Sequence, residues 1–328
     1  MNIIYGLKGK KGDNQNRDMD GGGPSFWIIL LIVSCVMILL LYLFAHTQKP
    51  GTVTVPETKK ELKQEAGTKG SGKKTSTKSA AENKIISGNC TLAEEHLKYD
   101  RPAQAKEAAL KVLAAGIDED DPIWVRAVAV LNKVNSLVIS TDIPSPEKES
   151  YVIQKGDSLT KIASDSNTTL DLLMKSNELN PSNPVLRPGK TLKIFKGNWK
   201  VEVSKKRFKL YLYNAENLFK VYSIGIGKRE KTPAGTFEID VKKREPVWSK
   251  DGKQIPYGSK DNILGTRWMS LKPASVANPG LKGFGIHGTW ESGDIGRENS
   301  VGCIRLNNDD INELYMIVPL HTTVIIGD

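Results

Sequence analysis

A thiol and an imidazole, Cys303 and His287, are the two side chains of this sequence whose types and spacing suit covalent chemistry. Cysteine attacks only as the thiolate, so it needs a base or a cation beside it, and histidine is the usual one. Their separation of 16 positions excludes a shared helix face, whereas two strands joined by a long loop can bring them together. Gly288 follows the imidazole and Gly302 precedes the thiol. Both remove bulk where a substrate backbone must come close, and both permit turn conformations closed to other residues. Spacing alone leaves a second reading open, in which Cys303 is a small buried hydrophobe on a strand and His287 a turn residue. Of the four histidines, His46 and His96 lie far upstream, which leaves His287 and His321 within reach of Cys303. His321 falls in a predicted turn near the C-terminus and reads as a surface residue.

The elements that must position the pair are strands. Phe208, Leu210 and Leu212 alternate with Lys209, Tyr211 and Tyr213, the run Asn214-Ala-Glu-Asn217 turns the chain, and Leu218 to Ile226 returns it. Val324 to Ile326 reads as a closing strand, and Asp309 to Ile317 is the one helix predicted after Trp199. Within this frame, His287-Gly-Thr289 followed by Ser300-Val-Gly-Cys-Ile-Arg-Leu306 resembles the signature of the L,D-transpeptidase catalytic domain, also called the YkuD domain. Two upstream stretches carry the same resemblance: Gly227-Lys-Arg-Glu-Lys-Thr-Pro-Ala-Gly-Thr-Phe237 and Leu264-Gly-Thr-Arg-Trp-Met-Ser-Leu271. Together they cover about 199–328, and the resemblance implies a predominantly β catalytic domain there.

The resemblance implies a role for each site residue. Cys303 is the nucleophile toward a tetrapeptide stem of peptidoglycan, releasing the terminal D-alanine and leaving a thioester. His287 takes the thiol proton or holds an ion pair with the thiolate, its orienting partner being the Gly288 carbonyl. Backbone N–H groups at Gly302 and Cys303 form the oxyanion hole, and Ser300 hydrogen-bonds within the motif loop. Arg305 suits either a stem carboxylate or a structural salt bridge. Some family members carry a second histidine directly before the Gly-Cys pair; Val301 stands there in this chain. An amine acceptor makes the reaction a transpeptidation and water makes it an L,D-carboxypeptidation. A non-enzymatic wall tether and a thiol protease are the remaining alternatives. No cofactor and no metal is implied.

Upstream, Tyr151-Val-Ile-Gln-Lys-Gly-Asp-Ser-Leu through Leu186-Arg-Pro-Gly-Lys-Thr-Leu-Lys-Ile194 reads strand, helix, helix, strand, with Gly156 and Pro188-Gly189 as turns and Asp157 or Ser158 as a helix cap. It resembles a LysM domain over 150–195, which implies binding to N-acetylglucosamine-containing glycan. Before it, residues 89–142 read as a small helical spacer. Thr91 and Glu94 have capping-box form, Asp100 with Pro102 opens a second helix that Gly116 closes, and Asp121-Pro122 opens a third.

The N-terminal third has another character. Residues 1–25 are polar and Gly-rich, a predicted cytoplasmic tail. Phe26 to Ala45 runs 20 residues without a charge, and at about 1.5 Å per residue it matches the roughly 30 Å hydrocarbon core. A transmembrane anchor is predicted there, since a cleaved signal has a shorter apolar core and ends in a small-x-small site, whereas Leu43 precedes Ala45 here. Between His46 and Gly88 nine Lys oppose four Glu, so half of the net charge of +10 sits in a disordered basic linker. That distribution excludes a folded nucleic-acid surface and suits anionic wall polymer or lipid headgroups. The predicted whole is a multidomain chain with a single N-terminal transmembrane helix. Helical spacer, LysM domain and catalytic domain stand on the outer side of the bacterial cytoplasmic membrane, with peptidoglycan and the membrane as partners. Three cysteines, Cys35, Cys90 and Cys303, are too few for a disulfide framework and too scattered for a metal site.

Overall fold

Ser79 opens the first helix with a capping box: its side chain accepts from the Glu82 N–H at 3.2 Å while the Glu82 carboxylate accepts from the Ser79 N–H at 2.8 Å. This is a computed structural model, and it describes residues 79–141, 143–274 and 283–328. The predicted tail, the transmembrane anchor and the linker up to residue 78 lie outside the described residues. Helix α1 spans Ala80–Lys98, so residues 80–88, expected in the linker, are helical. The capping-box form at Thr91 and Glu94 is an interior coincidence, because the Thr91 hydroxyl donates back to the Ser87 carbonyl one turn earlier at 3.2 Å.

Helix α2, Pro102–Leu113, starts on its proline, and α3, Pro122–Ser140, is capped by the Asp121 carboxylate accepting from the Ile123 N–H at 2.8 Å. Among the described residues α3 is the one helix long and apolar enough to cross a membrane. It is a core helix instead, burying Val130, Leu131, Val134, Val138 and Ile139 in the cluster that also holds the catalytic strands. Each such aliphatic side chain contributes about 1.5–3 kcal/mol when fully buried. The spacer of the sequence reading is therefore part of the catalytic body.

The LysM portion is β1 (Lys148–Val152), α4 (Leu159–Asp165), α5 (Leu170–Ser176) and β2 (Thr191–Phe195), with β1 and β2 antiparallel. Ser158 caps α4, while Asp157 accepts from the Tyr151 hydroxyl at 2.8 Å and the Gln154 N–H at 2.7 Å, bracing the turn. Its own small core holds Ile153, Leu159, Ile162, Leu173, Leu192 and Ile194. The stacked Phe195 and Trp199 rings join it to the next strand.

The catalytic portion contains β3 (Trp199–Ser204), β4 (Lys209–Asn214), β5 (Asn217–Ser223), β6 (Ile226–Gly227), β7 (Gly235–Arg244), β8 (Trp248–Lys250) and β9 (Lys253–Ile255). It continues with β10 (Arg267–Pro273), β11 (Gly285–Thr289), β12 (Glu298–Ser300), β13 (Ile304–Asn307), helix α6 (Asn308–Ile317) and β14 (Thr323–Gly327). Eight of these strands form one sheet in the order β13-β11-β10-β7-β14-β3-β4-β5. The C-terminal strand β14 was expected to close the domain. It lies in the middle, parallel to β3 and antiparallel to β7, and its Val324 and Ile326 are buried.

The outer strand β5 is covered by α3. Asn132 donates from Nδ2 to the Val221 carbonyl at 2.7 Å and accepts the Val221 N–H at 3.0 Å, taking the place of a neighbouring strand. Asn135 Nδ2 donates to the Phe219 carbonyl at 2.6 Å. Between them Lys220, 2% exposed, donates to Ser136 Oγ at 2.5 Å and to both oxygens of Glu313 at 2.6 and 2.7 Å. Strand, helix α3 and helix α6 are tied by that one ammonium.

Candidate active site

Strands β11 and β13 run parallel with His287 opposite Arg305, so Cys303, two residues before Arg305, stands near the level of Gly285. The two strands that the spacing required are adjacent, and both side chains open into one cavity of about 700 Å³. Trp268 and Leu264 line its wall beside His287, and Trp248 of β8 lines it as well.

His287 is 1% exposed. Its Nδ1 lies 2.6 Å from the Gly288 carbonyl oxygen, which can only accept, so Nδ1 carries the proton and the neutral ring keeps a lone pair on Nε2. Trp268 stacks on the ring at 5.6 Å. Burial pushes the imidazole down to about 4, against the upward pull of the Gly288 and Leu264 carbonyls. Burial likewise pushes the Cys303 thiol up, opposed by the Gly285 N–H and the Arg305 guanidinium. In both groups burial disfavours the charged form.

The loop before the thiol is held by backbone. Strand β12 pairs parallel with β6, and the Lys228 N–H donates to the Ser300 carbonyl at 3.0 Å. Gly302 has φ 145°, a conformation other residues rarely adopt, and a Cβ on the facing Gly227 would lie 2.7 Å from the Gly302 Cα. Thr232 joins the two segments by accepting from the Gly227 N–H at 2.7 Å and donating to the Gly302 carbonyl at 2.9 Å. Thr232 was missed as a positioning residue, although it sits in the Thr-Pro-x-Gly stretch that carried the family resemblance. Ser300 Oγ donates to the Cys303 carbonyl at 2.6 Å and accepts from the Gly302 N–H at 3.1 Å. That bond occupies one of the two expected oxyanion donors. For the Cys303 N–H no acceptor is found among the described residues.

Gly288 and Arg305 each meet a partner from within the fold. A Cβ on Gly288 would lie 2.3 Å from Asn308 Oδ1, so the missing side chain makes room for α6. Asn308 uses that space to accept from the Thr266 N–H and donate to the Thr289 carbonyl, each at 3.0 Å. Arg305 is bound by a buried salt bridge from Nη1 to Asp294, whose other oxygen accepts from Asn299 at 2.7 Å. The guanidinium therefore does not offer a free fork, though it still lines the cavity. Asp294 was invisible in the sequence, where no carboxylate has a fixed relation to the motif. His321 lies at the surface, its side chain 71% exposed. Among the described residues no group of three or more potential metal ligands converges.

Comparison with known proteins places this site in a family. Residues 198–326 match the YkuD model, described as the L,D-transpeptidase catalytic domain, and residues 151–195 match the LysM domain. A Bacillus licheniformis protein named for L,D-transpeptidase YkuD is 30% identical over 187 residues, covering 54% of this chain and 97% of the relative. YqjB of Bacillus subtilis, also named for L,D-transpeptidase, is 38% identical over 109 residues, covering 33% of this chain and 59% of its own length. An L,D-transpeptidase structure from Mycobacterium smegmatis aligns over 43% of this chain and 64% of its own, at 18% identity and a TM-score of 0.34. The chain belongs to the YkuD-type L,D-transpeptidase family, with a LysM domain directly ahead of the catalytic domain.

Proposed function

We propose that the chain is a membrane-anchored peptidoglycan L,D-transpeptidase with Cys303 as nucleophile and His287 as its base. The observation that carries this is a tautomer-fixed imidazole on β11 and a thiol immediately before the parallel strand β13, both lining one cavity. The Cys303 proton passes to His287 Nε2 as sulfur bonds to the carbonyl carbon between the third stem residue and the terminal D-alanine. The Cys303 N–H faces the oxygen on which charge develops; losing such a donor costs about 10²–10³ in rate. Collapse breaks the C–N bond, and the departing D-alanine amine takes the proton back from His287. An acceptor amine then attacks the thioester, gives its proton to His287, and expels the Cys303 sulfur, which is reprotonated. Water in place of the amine gives the carboxypeptidase reaction.

The LysM domain supplies binding to glycan, and Phe26–Ala45 supplies the anchor that keeps the enzyme at the wall. Incubation with a defined tetrapeptide muropeptide and mass spectrometry of the products tests the activity. Release of D-alanine with formation of a cross-linked product is expected, and an unchanged muropeptide would refute it. Protease added to spheroplasts should cut the 46–78 linker while sparing residues 1–25; a protected linker would overturn the orientation.

A further inference from the structure

The walls of the cavity that holds Cys303 and His287 carry Lys231, Lys243, Lys250 and Arg305, and no carboxylate. Arg305 is neutralised by Asp294. The three lysines have no ion-pair partner among the described residues. Each of the three other cavities described has at least one acidic side chain in its wall: Glu313 between the LysM and catalytic portions, Glu178 on the LysM face, Glu147 at the domain junction. A general excess of surface lysine does not account for a single-sign cavity beside mixed ones.

The three lysines reach this cavity from separate elements. Lys231 belongs to the turn between β6 and β7, and its own carbonyl oxygen lies 3.1 Å from where a Cβ on Gly302 would be, so it borders the nucleophile. Lys243 of β7 is paired in register with Trp268, the residue stacked on His287. Lys250 ends β8 with its ammonium 5.2 Å from the Trp248 ring. Flexible ammonium groups around a partly enclosed, apolar-walled cavity raise the local concentration of anions and reward carboxylates placed among them.

We propose that Lys231, Lys243 and Lys250 make the enzyme selective for stem peptides whose carboxylates are free, against the same stems with those groups amidated. This rests on the proposed transpeptidase reading and names its donor: a polyanionic stem. The lysines bind and orient the donor and take no part in proton transfer, so their effect falls on KM more than on kcat.

The test compares two donors, Ala-γ-D-Glu-diaminopimelate-D-Ala with free side carboxylates and its diamide, on the full-length protein. The free form should show kcat/KM higher by about tenfold, shrinking toward unity as salt rises from about 0.05 to 0.5 M. The triple variant K231Q/K243Q/K250Q should accept both donors equally, at the rate of the wild type on the diamide. A thermal melt and the rate of Cys303 alkylation by uncharged iodoacetamide, both unchanged, would show that the fold and thiol are intact. Equal kcat/KM for both donors in the wild type, or a preference surviving in the triple variant, would overturn the selectivity while leaving the transpeptidase reading in place. Absence of any acyl-enzyme with either donor would remove the reading and the selectivity together.

Discussion

At one end of the eight-stranded sheet β5 is covered by α3, and at the other β13, bridged to Gly225 on its outer side, borders a cavity. Over β5, Asn132 meets both backbone groups of Val221, and the buried Lys220 ammonium is matched by Glu313 and Ser136. Beside β13, the Cys303 N–H has no acceptor among the described residues, Arg305 Nε is buried without a partner, and three lysines face a wall without acids. Burying a polar group without a partner costs about 1–3 kcal/mol. At the sealed edge side chains from α3 meet the backbone of β5 and leave Asn135 Oδ1 buried without a partner; at the other edge Arg305 Nε is left so. The difference lies in what covers each edge: helix side chains over β5, and a cavity lined by basic and apolar side chains beside β13.

The contrast can be broken from either side. The largest effect belongs to the open edge: Cys303→Ala should abolish turnover while thermal stability stays near that of the parent, as judged by product analysis and a melt. On the sealed edge, a chain beginning at residue 150 should lose cooperative folding or aggregate, because β5 and the apolar face under α3 become exposed. A chain beginning at residue 79 should fold, and equal unfolding midpoints for the two would show that the helices are a spacer after all.

His287→Ala should lower kcat/KM by about 10²–10⁴. Its pH profile is as informative as its rate. In the parent, activity should rise as the imidazole loses its proton, which burial places at about 4, and hold through neutrality. In the variant the remaining activity should follow the thiol itself and keep rising above its ordinary value, since burial raises it. Matching profiles would remove His287 from proton transfer. Lys220→Met with Glu313 retained should destabilise by about 3–5 kcal/mol, because a partly buried carboxylate is left without its cation; the double change with Glu313→Leu should recover most of it. Ser300→Ala, which frees the Gly302 N–H but loosens the loop, should cost about tenfold in kcat with KM little changed.

What the sequence made legible follows the same division. Local rules found Asp121-Pro122 at the start of α3, the alternation of β4 and the strand–helix–helix–strand order of the LysM portion, because each is decided within a few residues. The motif brought His287, Cys303 and Ser300 forward, and the fold sets them around one cavity. Tertiary partners were beyond reach. Asn132 and Asn135 looked like ordinary polar residues on a helix, and nothing in their spacing announced an edge strand 84 to 89 residues away. Nothing in the sequence announced Asn308 beside Gly288, and Arg305 gave no sign of Asp294. The start of α1 was missed because Ser79 and Glu82 lie in a Lys- and Ser-rich run whose composition outweighed the cap.

The central claim is that Cys303 is the atom that carries the stem. Rapid mixing of the full-length protein with a tetrapeptide donor, acid quench and peptide mapping by mass spectrometry measures this directly. The account predicts one adduct equal to the donor less D-alanine, on Cys303 and absent from Cys303→Ala. An adduct on Cys90, or product formed by Cys303→Ala, would contradict it.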